Sequence, residues 1–171
     1  LFYKFKNDEA DVLIGTQLVT KGLDFENVTL VGVLNADLAL SYPTYDASMV
    51  AYNLIEQVSG RAGRKDKDGT VIIQTYNPDN YVIICAKNHD YDSFYKHEIQ
   101  NRKLTMMPPF SMLVEIVVSS KNKALAKREA IHIVEDLRIH SNSIILGPAE
   151  AMIFKKNDIS SYTIQIQATD D

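Results

Sequence analysis

Arg61 and Arg64 lie within Gln57-Val58-Ser59-Gly60-Arg61-Ala62-Gly63-Arg64, a stretch of small residues carrying a pair of permanently charged planar forks. Forks of that kind suit phosphate. Gln57 and Arg61 stand at i and i+4, so on a helix they share a face. Gly60 and Gly63 lack a Cβ, which lets the backbone leave a helix there and approach a ligand closely. An ordinary helix C-terminus explains the same residues, because Gly is common there and basic side chains complement the helix dipole.

A polar cluster precedes this octet. Gly15-Thr16-Gln17 and Lys21-Gly22-Leu23-Asp24-Phe25 lie between two apolar runs, residues 11–16 and 28–34, each of which reads as a short buried strand. In open α/β sheets, ligands gather outside the carboxyl ends of strands, and Thr16, Lys21 and Asp24 fall in that position. A Lys-Gly-x-Asp loop taken alone reads first as a surface turn. Asp37, in Asn35-Ala36-Asp37, either begins a loop or orients an arginine.

The elements that must position these residues follow from periodicity. Ala47, Val50, Ala51, Leu54, Ile55 and Val58 recur at three- and four-residue steps and predict an amphipathic helix leading into the octet. Phe2 and Phe5 mark the tail of a helix within residues 1–10. Residues 38–46, with Tyr42, Pro43 and Tyr45, read as a loop. Asp68-Gly69 turns the chain into a strand at 70–75, and helices follow at 79–88 and 91–103. Parallel strands alternating with helices make this half of an α/β domain.

The paired prolines of Met107-Pro108-Pro109-Phe110 disfavour helix, and a domain boundary near residue 104 is expected. Beyond it come a strand (112–119), a helix (121–140) with Ala130, Ile131, Val134 and Leu137 on one face, and a strand (143–146). Gly147-Pro148 reads as a turn, 151–154 as another short strand, and 162–167 as an alternating, half-exposed strand. The sum is a small α+β layer. Lys155-Lys156 is placed in a hairpin loop, either solvated or touching nucleic acid or a partner.

Composition bounds the function. The 171 residues are 46% hydrophobic and 23% charged, as in a soluble globular protein with a real core. A net charge of −4 argues against a free-standing nucleic-acid binder working by bulk electrostatics. The basic cluster Arg61, Arg64, Lys65 and Lys67 is interrupted by Asp66 and Asp68. Cys85 is the one cysteine, which excludes a disulfide framework and any cysteine-based zinc cluster within this chain, and its apolar neighbours make it a small core residue. His89 and His97 have no carboxylate at ligand spacing and read as surface or packing residues. No secretory signal or membrane-length apolar run is present, so a cytoplasmic setting is the default.

The full pattern Q-x-x-G-R-x-G-R resembles motif VI of superfamily 2 helicases. Upstream, Gly15-Thr16-Gln17, Lys21-Gly22, Asp24-Phe25 and Val28 resemble motif V of the primosomal protein N-prime (PriA) family, the bacterial replication-restart helicases. Met107-Pro108-Pro109-Phe110 and Ile145-Leu146-Gly147-Pro148-Ala149 are similar to further family segments. The resemblance covers nearly the whole chain. It implies a RecA-like second helicase lobe over residues 1–104, followed by a partial α+β C-terminal domain over 105–171.

The implied activity is ATP- and Mg²⁺-dependent unwinding in the 3′ to 5′ sense at abandoned forks, with single-stranded and forked DNA, replication-restart proteins and single-strand binding protein as partners. By position, Arg61 and Arg64 would stabilise charge on the γ-phosphate, and Gln57 would position the nucleotide. Gly22, Asp24 and Gly60 would belong to the nucleotide and metal-water network. Gly15, Thr16, Gln17 and Lys21 would touch the DNA backbone. The chain has no G-x-x-x-x-G-K-[ST] phosphate loop and no Asp-Glu-x-His motif, so it is expected to be a piece of a longer protein and inactive alone. The zinc of the family would need clustered cysteines that this chain does not carry. A non-catalytic module docking fork DNA or a replication partner through residues 105–171 is the competing expectation.

Overall fold

The structure, a computed structural model, describes residues 2–16, 28–62 and 69–168. The expectations placed on Gln17, Lys21, Gly22, Asp24, Gly63, Arg64 and the Lys65 to Asp68 cluster lie outside these residues. The chain divides into two compact units, Leu1–Glu98 and Ile99–Asp171.

In the first unit a parallel pair of strands forms the frame. β1 (Leu30–Val33) runs beside β2 (Thr70–Ile73), in register from Leu30 opposite Thr70 to Val33 opposite Ile73. Both are shorter than their apolar runs. Residues 11–16 were expected as a third strand but form no ladder among the described residues, and Val12 and Ile14 are 71% and 80% exposed. An apolar run becomes a strand only where a neighbour takes its backbone hydrogen bonds, and among the described residues β1 pairs with β2 alone.

α1 (Phe2–Lys6) precedes the frame, and α2 (Asp37–Leu40) occupies part of the expected 38–46 loop. Side chains close that single turn. Asn35 Oδ1 accepts from the Leu38 amide at 3.2 Å, and Ser41 Oγ donates to the Leu38 carbonyl at 2.8 Å. α3 (Ala47–Ser59) buries Ala47, Ala51, Tyr52, Ile55 and Val58. Val50, assigned to the inner face by spacing, is 40% exposed. Tyr52 belongs there instead, stacked on Phe94 with ring centroids 4.3 Å apart.

α4 (Tyr81–Lys87) starts where the Asn80 side chain accepts the Val82 amide, a helix cap that satisfies one of the first free N–H groups. α5 (Tyr91–Leu104) follows Asp90, whose Oδ1 accepts the Ser93 amide at 2.9 Å. The core of this unit joins Ala51, Tyr52 and Ile55 of α3 to Val82, Ile83, Cys85 and Ala86 of α4 and Phe94 of α5.

The second unit is an antiparallel sheet of β3 (Met112–Ser120), β4 (Ile144–Lys156) and β5 (Ile159–Ala168) in the order β3-β5-β4. α6 (Lys123–His140) packs Ala126, Ala130 and Val134 against Tyr162 and Ile164 of β5. Small alanines let the helix approach the sheet closely. Ile131, expected on this face, is 38% exposed, while Ile133 and Leu137 pack on the core.

Gly147-Pro148 does not turn the chain. β4 runs continuously through it with a register shift between Leu146 and Ala149, and 151–154 belongs to the same strand. Across that shift an extra β4 residue is accommodated as a bulge, which disrupts the ladder locally without ending it. The hairpin that follows turns on Asn157 and Asp158, with φ of 51° and 61°, the left-handed pair that matches the twist of the flanking strands. Lys155 and Lys156 therefore end β4 and do not form the loop.

Candidate functional site

The carboxyl end of α3 carries what is described of the octet. Ile55 and Val58 are 2% and 6% exposed and lock the last turns into the core. Gln57, next to Val58, faces solvent, as does Gly60, and Arg61 is half-buried. Arg61 lies beyond α3, which ends at Ser59 with Gly60 as its cap, so the single helical face expected to carry both Gln57 and Arg61 stops short of the arginine. The helix tightens as it ends: the Gly60 amide donates to the Glu56 carbonyl at 3.0 Å, Arg61 to Val58 at 3.0 Å and Ala62 to Ser59 at 3.3 Å. The last two bonds are of the shorter i to i+3 kind, common at helix ends.

Gly60 has φ −68° and ψ 1°, a backbone that any residue adopts, so glycine is not needed there to break the helix. A Cβ at that position would lie 3.5 Å from the Glu56 carbonyl oxygen and 3.9 Å from that of Gln57, which is ordinary contact. Gly15 and Thr16 are exposed at the end of the described segment 2–16. Gln17, Lys21, Gly22, Asp24 and Arg64 lie outside the described residues.

Asp37 has a different task from both expectations. It opens α2, and its carboxylate accepts the Thr75 hydroxyl at 2.8 Å and the Tyr76 amide at 2.9 Å. The Tyr76 amide, with help from the Thr75 hydroxyl, holds the Asp37 carboxyl below its ordinary range. Asp90 is likewise held low by the hydroxyl and amide of Ser93.

His89 is a surface residue, as its sequence reading has it, and it meets a carboxylate distant in sequence. Its Nδ1 lies 3.0 Å from both Oε1 and Oε2 of Glu56. No local signal could have found this pair, because the residues are 33 apart in sequence and meet only once α4 packs on α3. His97 is a packing residue, with its ring 5.5 Å from that of Tyr81. Cys85 is buried, and burial pushes its thiol up from the ordinary range. Among the described residues no group of three or more His, Cys, Asp or Glu side chains is placed to hold a metal ion. No described helix is long and apolar enough to cross a membrane.

Residues 1–66 match the helicase conserved C-terminal domain, a RecA-like lobe, so the residues from Gly15 to Asp24 and the octet both fall inside the matched region. Over 98% of its length the chain is 43% identical to the replication restart protein PriA of Bacillus subtilis (strain 168). It is 41% identical to that of Rickettsia typhi over 98% of the chain, and 37% identical to that of Borreliella burgdorferi over 94%. The chain belongs to the PriA family.

The chain spans 21% of the length of the Bacillus relative, 26% of the Rickettsia relative and 25% of the Borreliella relative. The PriA similarity runs through both compact units, whereas the helicase-domain match covers only part of the first. The antiparallel unit is thus as much a PriA feature as the parallel one.

Proposed function

We propose that this chain supplies the arginine side of the nucleotide site in an ATP-dependent 3′ to 5′ DNA helicase that acts in replication restart and primosome assembly at stalled forks. One observation above all supports the reading. Gln57 is exposed in the last turn of α3 and the half-buried Arg61 follows its cap Gly60, while Val58 between them is fixed in the core. A helix C-terminus is the negative pole of its dipole and does not by itself attract phosphate. The guanidinium forks must therefore supply the attraction, and a rigid helix end can hold them in one place.

ATP supplies the γ-phosphoryl group whose transfer to water drives the motor, and its binding with Mg²⁺ is assigned to another lobe of the full-length protein. In this reading Arg61 and Arg64 stabilise the charge that develops on the transferring group. Gln57 orients the nucleotide, with Gly22, Asp24 and Gly60 in the surrounding network. Gly15, Thr16, Gln17 and Lys21 hold single-stranded DNA by its backbone, where hydroxyl, amide and cationic groups grip phosphates without reading bases. Forked DNA, replication-restart proteins and single-strand binding protein are the partners this role requires. The docking alternative has less support. Lys155 Nζ lies 3.2 Å from Asp158 Oδ1, so part of the charge at that hairpin is met internally.

The test is DNA-stimulated ATP hydrolysis by the full-length protein, comparing wild type with Arg61→Ala and Arg64→Ala and measuring ATP binding in parallel. Turnover is expected to fall by about 10² to 10³-fold while ATP still binds, the scale for removing a preorganised charge from a transition state. Unchanged turnover would reduce the octet to a basic helix end.

A further inference from the structure

We propose that Glu56 and His89 form a brace that positions the end of α3, and through it Gln57 and Arg61, for ATP hydrolysis. The inference rests on the arginine reading above and adds to it a pair of positioning residues. Glu56 is attached to the helix end twice. Its carbonyl accepts the Gly60 amide at 3.0 Å, closing the turn from which Arg61 leaves the helix. Its carboxylate is held by His89 Nδ1, 3.0 Å from each oxygen. Since a carboxylate only accepts, Nδ1 carries the hydrogen.

His89 offers a fixed point for that carboxylate. It lies between α4 and α5 with φ 54°, in the left-handed region that side chains other than glycine seldom occupy. Main-chain bonds hold it there: the His89 amide donates to Ala86 and the Asp90 amide to Cys85. Ala86 and Cys85 are themselves buried in the core. The brace thus ties the arginine-bearing helix end to the core through a second route, besides Ile55 and Val58.

Stability does not account for the pair. The side chains of His89 and Glu56 are 63% and 30% exposed, and ion pairs of such exposure contribute little to folding. A carboxylate in the last turn of a helix also faces the wrong pole of the dipole. What the pair does supply is direction. It fixes the residue immediately before Gln57, and small displacements of positioning groups are costly to turnover.

His89→Gly and Glu56→Ala in the full-length protein test this, with Glu56→Gln, the double variant and Arg61→Ala alongside. Glycine suits the left-handed backbone, so His89→Gly removes the ring without straining the turn. We expect kcat for DNA-stimulated ATP hydrolysis to fall by about tenfold in His89→Gly and in Glu56→Ala. KM for ATP is expected to stay within about twofold, since the lost alignment matters in the transition state. The double variant should be no slower than either single one, and Glu56→Gln, which keeps an acceptor for Nδ1, should recover most of the rate. Wild-type turnover in His89→Gly alongside collapse in Arg61→Ala overturns the brace and leaves the arginine reading standing. Unchanged turnover in Arg61→Ala overturns both. Losses that multiply in the double variant, or that track a matching drop in thermal stability, assign the pair an ordinary structural role and overturn the proposal as well.

Discussion

Thr75 and Asp37 tie together the ends of two parallel strands: the Thr75 hydroxyl donates to Asp37 Oδ1 at 2.8 Å, and the other carboxylate oxygen accepts the Tyr76 amide at 2.9 Å. The main chain makes the same link, with the Gln74 amide bonded to Val33 and the Ala36 amide to Gln74. A two-stranded pair is marginal alone, and these side-chain bonds extend its ladder past β1 and β2. The carboxyl ends of these strands, where α/β proteins gather ligands, are thereby held rigid.

Removing that carboxylate should loosen the strand ends, and the effect should depend on pH. The folded-state pKa of Asp37 is depressed by its two donors. Its contribution to stability is therefore fully present above the unfolded value of about 3.9 and is lost as pH falls through the folded value. Asp37→Ala is expected to unfold at lower urea than wild type at pH 7, with the gap closing on acidification. Urea titrations at a series of pH values from 7 downward check this, and a gap independent of pH would mean that the carboxylate charge plays no part.

Gly60→Ala separates folding from chemistry at the helix end. The backbone there accepts any residue, and the added Cβ meets only ordinary contacts among the described residues. Alanine should leave stability unchanged or raise it by up to about 1 kcal/mol, through lower entropy of the unfolded chain. In the full-length protein the same change should slow ATP turnover, because the methyl group projects where the proposed nucleotide network lies. Thermal unfolding and steady-state hydrolysis measured on one preparation decide it. Faster turnover or clear destabilisation would each contradict the assignment.

Most of the architecture was legible in the sequence because it rests on local signals. The alternation of β5 and the apolar stripe of α3 both act over a few residues. What was not legible depends on partners distant in sequence. Val50 and Tyr52 compete for the inner face of α3, and Phe94, far along the chain, decides for Tyr52. The Glu56 and His89 pair and the Asp37 link are invisible for the same reason, with separations of 33 and 38 residues. Residues 11–16 failed in the opposite sense, since an apolar run predicts a strand but cannot supply its neighbour. At the candidate site the octet was found by its motif, while the hydrogen bonds that hold its helix end were not.

Gly147 should tolerate no side chain. It sits in the β4 bulge with φ +110°, and a Cβ there would come within 2.9 Å of the Thr163 carbonyl oxygen on β5. Both the backbone conformation and the contact oppose alanine, and the oxygen it would meet is backbone, not the far end of a flexible side chain. Gly147→Ala is expected to cost about 2 to 4 kcal/mol. Chemical denaturation of the unit that contains α6 and the antiparallel sheet measures it, and a cost below about 1 kcal/mol would show that β4 shifts to accommodate the methyl group.

Cys85 offers a probe of the core from the alkaline side. It is 5% exposed against Ile55 and Val82, and burial, with a smaller contribution from the Asp90 charge, raises its thiol above the ordinary range. Burial raises the Tyr52 hydroxyl as well. For an acid whose folded pKa is raised, stability is fully present below the unfolded value and falls as pH rises through the folded one. For the thiol that loss begins above about pH 8.5. Cys85→Ala removes the thiol's share of the alkaline slope at the expense of a small cavity, leaving the later share of Tyr52. In native protein at pH 8 a thiol reagent should react far more slowly with Cys85 than in urea, at a rate set by opening of the α3 and α4 packing. Equal rates in the two states would mean that α4 does not seal the core.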